Sequence, residues 1–140
     1  MWTYNGIPFD ETMIGTNIGF VYIITNTTTG RKYIGKKLFQ FTRTKKRVGK
    51  RNTRIKKASD WELYYGSNEE LKTDVEIMGK QSFVREILHL CPNKGTCNYL
   101  EAKEQFKHGV LESDAWYNSW ISCKIHKAHV NKTHSPREKK

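Results

Sequence analysis

No stretch of this 140-residue chain stays apolar for the roughly 20 residues that a membrane-spanning helix needs. The first fifteen residues, MWTYNGIPFDETMIG, lack the basic start and the apolar run of a secretion signal. The expectation is an intracellular protein, not secreted, in which the sequons at Asn26 and Asn131 carry no sugar. Cysteine is scarce and odd in number (Cys91, Cys97, Cys123), which argues against a disulfide framework and leaves free thiols. No internal repeat is found. Acids are in short supply: 14 Asp and Glu face 25 Lys and Arg, a net charge of +11. Such a surplus favours a polyanionic partner. The basic residues gather in a turn-rich segment, not on an amphipathic helix, which favours nucleic acid over a membrane surface. A basic structural protein, such as a ribosomal component, is the bland alternative.

What is present reads as one domain. Hydrophobic residues make up 36% and charged residues 28% of the chain, enough for a modest single core. Residues 1 to 18 are a lead-in with scattered large apolar side chains and no clear period. Gly19 to Asn26, GFVYIITN, is β-branched and aromatic and predicts a strand. It stops at the turn cluster Asn26 to Gly30, and residues 31 to 39 predict the return strand of a hairpin. Gly35 interrupts that second strand, which predicts a bulge or a place where another backbone or a ligand comes close. From Thr42 to Lys57 there are nine Lys or Arg and no acid, the best candidate for a loop or extended arm that contacts DNA.

The next elements alternate. Ser67-Asn68-Glu69-Glu70 has capping-box spacing, with Ser67 as N-cap, and predicts a helix over about 68–78 closed by Gly79. Residues 82 to 90 predict a third strand, with Phe83, Arg85, Ile87 and His89 on one face and Val84, Glu86, Leu88 and Leu90 on the other. Residues 92 to 96 read as a loop and 97 to 108 as a second helix. Residues 111 to 125 are aromatic-rich and ambiguous. The order predicts a small α/β domain over 1–130, a three-stranded antiparallel sheet flanked by helices, with a basic insertion at about 40–58 and a flexible basic tail at 131–140.

Gly19-Phe20-Val21-Tyr22 and Tyr33-Ile34-Gly35, with tyrosines eleven residues apart on paired strands, resemble the two motifs of the GIY-YIG nuclease superfamily. The chain is most similar in kind to the small phage-encoded, homing-type endonucleases of that group. The second motif matches fully; in the first, one extra residue separates the glycine from Val-Tyr. The resemblance extends over about residues 19 to 118. It implies Tyr22, Tyr33, Arg43, Glu101 and Asn118 as catalytic residues, with Glu101 holding a divalent metal, Mg²⁺ or Mn²⁺. Arg47 or Lys46 stands as an alternative to Arg43, Glu104 to Glu101, and Asn118 has a turn-closing role as its alternative. Where many members carry His or Tyr one helical turn after the arginine, this chain has Arg47, and Tyr64 or Tyr65 is left to fill that place.

These residue types suit phosphodiester hydrolysis. A hard divalent ion needs few protein oxygens when it keeps waters and a phosphate oxygen, and it stabilises the leaving oxygen as a Lewis acid. An arginine forks onto phosphate oxygens. A tyrosine accepts a proton from water only where its surroundings favour the phenolate. Lys36, Lys37, Lys45, Lys46, Arg47, Lys50, Arg51 and Arg54 are expected to contact DNA, with salt-dependent phosphate contacts. The expected activity is metal-dependent endonucleolytic cleavage of DNA, by a monomer or a homodimer. The alternative is a non-catalytic nucleic-acid-binding module on the same scaffold. Cys123, His126 and His129, with Cys91 and Cys97, fit no standard zinc-finger spacing, so structural zinc is not expected.

Overall fold

The computed structural model describes residues 1–45, 48, 49, 51 and 53–122, and only the backbone for 42–45 and 53–56. Seven strands and two α-helices follow in the order β1 (Trp2–Tyr4), β2 (Ile7–Pro8), β3 (Gly19–Asn26), β4 (Lys32–Leu38), β5 (Gln40–Lys45), β6 (Thr53–Ala58), α1 (Glu69–Met78), β7 (Phe83–Cys91) and α2 (Lys94–Lys107). The main sheet has the order β2-β1-β7-β3-β4, and β5-β6 form a separate two-stranded sheet.

β3 is the central element because its apolar run has a use on both faces. Phe20, Tyr22 and Ile24 point into a core shared with Trp2, Leu71 and Val75 of α1, and Phe83 and Ile87. Val21 and Ile23 point into a second core with Ile34, Cys91, Cys97, Leu100 and Val110, under α2. The sheet is therefore a middle layer between the two helices. The predicted hairpin forms as read: β3 and β4 pair without interruption from Gly19↔Leu38 to Thr25↔Lys32. Its turn is held by the Asn26 side chain, whose Oδ1 accepts from the Thr28 and Thr29 amides at 3.0 and 3.3 Å. Asn26 is fully buried.

Several expectations need correction. The predicted three-stranded antiparallel sheet is the β7-β3-β4 part, ending at the β4 edge, of a five-stranded mixed sheet. β1 adds to β7 in parallel, and β2 turns back on β1. Strands this short leave no period to read. What fixes β1 is one side chain: Trp2 packs edge-on against Phe20 at 4.9 Å and donates its indole N–H to the Trp61 carbonyl at 2.8 Å. In β7 the register slips opposite Val21 and Tyr22, which pair with His89 and Ile87 and leave Leu88 over. This bulge moves Leu90 to the Phe83 and Ile87 side and His89 to the α2 side, reversing the predicted faces beyond it.

Helix starts also differ. The α1 cap is Asn68, accepting from the Leu71 amide at 2.9 Å, not Ser67. α2 begins at Lys94, inside the predicted loop, because Asn93 caps it by accepting from the Thr96 amide at 2.8 Å. The basic segment is a hairpin in its backbone, with Arg43 paired to Ile55 and Thr44 to Arg54. Among the described residues no helix is long and apolar enough to cross a membrane.

Candidate active site

β4 is an edge strand, and its open side is covered by residues 115–118 and not by another strand. The Lys32 amide donates to the Ala115 carbonyl at 3.0 Å, and the Tyr117 amide donates to the Lys32 carbonyl at 2.8 Å. One step on, the Asn118 side chain continues the ladder. Its Oδ1 accepts from the Ile34 amide at 3.1 Å and its Nδ2 donates to the Ile34 carbonyl at 2.8 Å. Gln105 of α2 donates to the same carbonyl at 3.0 Å. A carboxamide copies one residue of a strand here, so no backbone group of Ile34 is left bare.

A cleft of about 490 Å³ opens beside this covered edge. Tyr33 and Lys36 of β4, Ser67 before α1, Glu101 of α2, and Asn118 and Trp120 after it all line it. Glu101 lies 4.0 Å from the Lys36 ammonium, with 15% of its side chain exposed. Burial holds its carboxyl above the usual carboxylate range, and Lys36 pulls it partly back. Lys36 also donates to the Asn98 amide oxygen one helical turn before. The Tyr33 and Ser67 hydroxyls are 3.1 Å apart. Ser67 makes this contact while Asn68 serves as the helix cap. Burial pushes the Tyr33 phenol up, against the lowering influence of Ser67, with Tyr64 and Glu101 adding to the rise.

The other tyrosine stands behind the first. Tyr22 is 1% exposed, 6.2 Å from Tyr33 and 6.1 Å from Tyr64 between ring centres. Burial raises its phenol well above the ordinary value, with Tyr64 and Tyr33 adding to it and a hydrogen bond to Tyr64. Its hydroxyl lies over Gly35: a Cβ there would come 2.5 Å from the Tyr22 oxygen and 2.8 Å from the Tyr33 ring. Gly35 is thus a place of close approach, but what approaches is the side chain of the first motif's own tyrosine and not another backbone or a ligand. The strand carries no bulge at that point.

Of the remaining predicted residues, Glu104 does not line the cleft. It is 8% exposed and bound to His89 Nε2 at 3.1 Å and, at 3.5 Å, to His108 Nδ1. Tyr64 reaches Tyr22, whereas Tyr65 is stacked on the Arg85 guanidinium at 4.1 Å. Lys37 is paired with Asp60 at 2.7 Å and lies over the Tyr64 ring at 4.1 Å. Arg51 is exposed. Lys46, Arg47, Lys50, Cys123, His126 and His129 lie outside the described residues, as do the side chains of Arg43, Lys45 and Arg54. The reading of the sequence missed Asn98, Ser67 as a cleft residue, and Ser119, Trp120 and Ser122. The only signal for the last three was an aromatic stretch without a period.

A family model described as "Putative endonuclease segE, GIY-YIG domain" matches residues 2–121. The chain belongs to the GIY-YIG family. The match takes in both tyrosine motifs, the basic hairpin, both helices and the segment that closes the edge of β4, and it places the chain among nuclease domains. The match begins at Trp2, so the β1 strand absent from the three-stranded expectation lies within the GIY-YIG domain. No curated protein and no solved structure matches the chain.

A divalent cation is compatible with the donors in this GIY-YIG cleft. Among the described residues no three His, Cys, Asp or Glu side chains gather as a closed metal cage. Glu101 is a largely buried carboxylate that, among the described residues, is ion-paired only with an ammonium at the limit of ion-pair distance. One carboxylate with water and phosphate oxygens is a donor set that Mg²⁺ or Mn²⁺ accepts.

Proposed function

We propose that this GIY-YIG domain is a metal-dependent endodeoxyribonuclease. The observation that supports this most is the cleft itself, where Tyr33 from the sheet edge and Glu101 from α2 face one solvent-filled space. In this reading Glu101 holds Mg²⁺ or Mn²⁺, which when bound supplies Lewis acidity to the phosphate and the leaving oxygen. Tyr33 holds the attacking water and, as the phenolate that a cation bound at Glu101 would favour against the raising effect of burial, takes the water's proton as the new P–O bond forms and the old one breaks. Ser67 orients the Tyr33 hydroxyl. Tyr22, backed by Tyr64, sets the position of Tyr33 from behind, and Gly35 leaves room for Tyr22 and Tyr33. Lys36 places positive charge beside the phosphate. Asn118 acts chiefly by fixing β4, since both ends of its amide are used by Ile34. Arg43 and the other cations of the β5-β6 hairpin neutralise the DNA backbone.

The test is cleavage of supercoiled plasmid by the full chain with Mg²⁺ or Mn²⁺, with and without EDTA. Wild type is expected to cut, EDTA to stop it, and Glu101→Ala to lower the rate at least about 100-fold. Binding of DNA without cleavage under varied metals and salt would favour the non-catalytic module. Cleavage by Glu101→Ala but not by Glu104→Ala would reassign the ligand.

A further inference from the structure

We propose that Trp120 is a stacking platform for a nucleobase adjoining the phosphate in the cleft, so that the preferred substrate has an unstacked nucleotide at the cut. This deepens the nuclease reading and rests on it for the position of the phosphate. The chain has four tryptophans. Trp2 and Trp61 are buried, and Trp116 packs against the His108 ring at 5.7 Å. Trp120 differs: the residue is 71% exposed, yet it lines the same cleft as Tyr33 and Glu101.

The segment that leads to it is attached to the sheet. Two residues earlier, Asn118 is bonded twice to Ile34, and Tyr117 is bonded to Lys32. The indole is therefore carried close to a point tied to the edge strand, beside the cleft. The rest of the lining suits the other parts of a nucleotide. Lys36 offers an ammonium, and Ser67, Ser119 and Ser122 offer hydroxyls, to phosphate and sugar oxygens. A flat apolar face is the one component of a nucleotide site that these polar groups do not supply. Aromatic side chains hold bases of any sequence because every base has a π face. A base inside an intact duplex is already stacked on both sides. Trp120 can take one only where that stacking is broken, at a single strand, branch, nick or flipped nucleotide.

Binding is measured in EDTA, where no cleavage is needed, on single-stranded oligonucleotides by fluorescence anisotropy. Trp120→Ala is expected to weaken binding about tenfold, and Trp120→Phe much less. Tryptophan emission should be quenched by DNA in wild type, and the quench should largely vanish in Trp120→Phe. An abasic site is then moved along the oligonucleotide. At one position it should weaken wild type but leave Trp120→Ala unchanged. Equal affinity of wild type and Trp120→Ala, or an abasic scan that both feel alike, overturns the proposal. Cleavage in Mg²⁺ is scored separately. Coupling in EDTA without any cutting sinks the nuclease reading alone; cutting without coupling sinks the Trp120 proposal alone.

Discussion

Gly35 shows how a single missing methyl group arranges this site. The space above its Cα is filled by the Tyr22 hydroxyl and flanked by the Tyr33 ring. Gly35→Ala is expected to push both tyrosines out of place, lowering the melting temperature by the equivalent of about 1–3 kcal/mol and cleavage by more than about tenfold; thermal melts and a plasmid assay on one preparation check both. The two glutamates of α2 separate in the same way. Glu101 faces the cleft, whereas Glu104 is occupied by two histidines. Glu104→Ala should cost about 1–3 kcal/mol of stability and leave cleavage near wild type. The raised Glu101 pKa gives a pH signature. Burial favours its protonated form, so protons compete with a cation there at higher pH than at an exposed glutamate. Cleavage at fixed Mg²⁺ should fall as pH drops through that raised value, and the acid limb should move to lower pH as Mg²⁺ increases. An acid limb indifferent to metal concentration would remove Glu101 as the ligand.

At the scale of elements, the edge of β4 is completed by the chain that follows α2. Asn118→Ala withdraws two buried hydrogen bonds from Ile34 and should cost about 2–3 kcal/mol, with cleavage falling in parallel. Asn118→Asp should rescue neither, because it keeps the acceptor but loses the donor. Full thermal stability with lost cleavage would instead assign Asn118 to the chemistry. The β5-β6 hairpin is joined to the domain at its root, where the Ser59 amide donates to the Phe39 carbonyl at 2.9 Å. Replacing residues 42–56 by a short turn keeps that root and removes most of the nine basic residues. Melting should change little, while the slope of log affinity against log salt should shrink by about 4 if roughly half of those cations meet phosphates.

For the molecule as a whole, a surplus of eleven positive charges and the cleft beside β4 set the behaviour on DNA. Each chain has one set of cleft residues, so nicked circles should accumulate before linear plasmid at limiting protein. Immediate linearisation, steepening with protein concentration, would point to a homodimer acting on both strands.

Both strands of the hairpin, its turn, and helix α1 were legible in the sequence because their causes are local: a β-branched run, an Asn-to-Gly turn cluster, an apolar spacing closed by glycine. The tyrosine pair at eleven residues and the basic segment were legible for the same reason. Four features came only from contacts between distant segments. β1 exists because Trp2 finds Phe20 and Trp61. The β7 bulge, opposite Val21 and Tyr22, decides that His89 faces α2. Ser67 meets Tyr33 while Asn68 caps α1. Glu101 was told from Glu104 only by which side of α2 meets the cleft and which meets the histidines. The sequence by itself determined the family, the central hairpin and the charge. Only the tertiary structure decided which side chains share the cleft, because that choice depends on packing between residues as far apart as Ile34 and Asn118, and no local pattern records it.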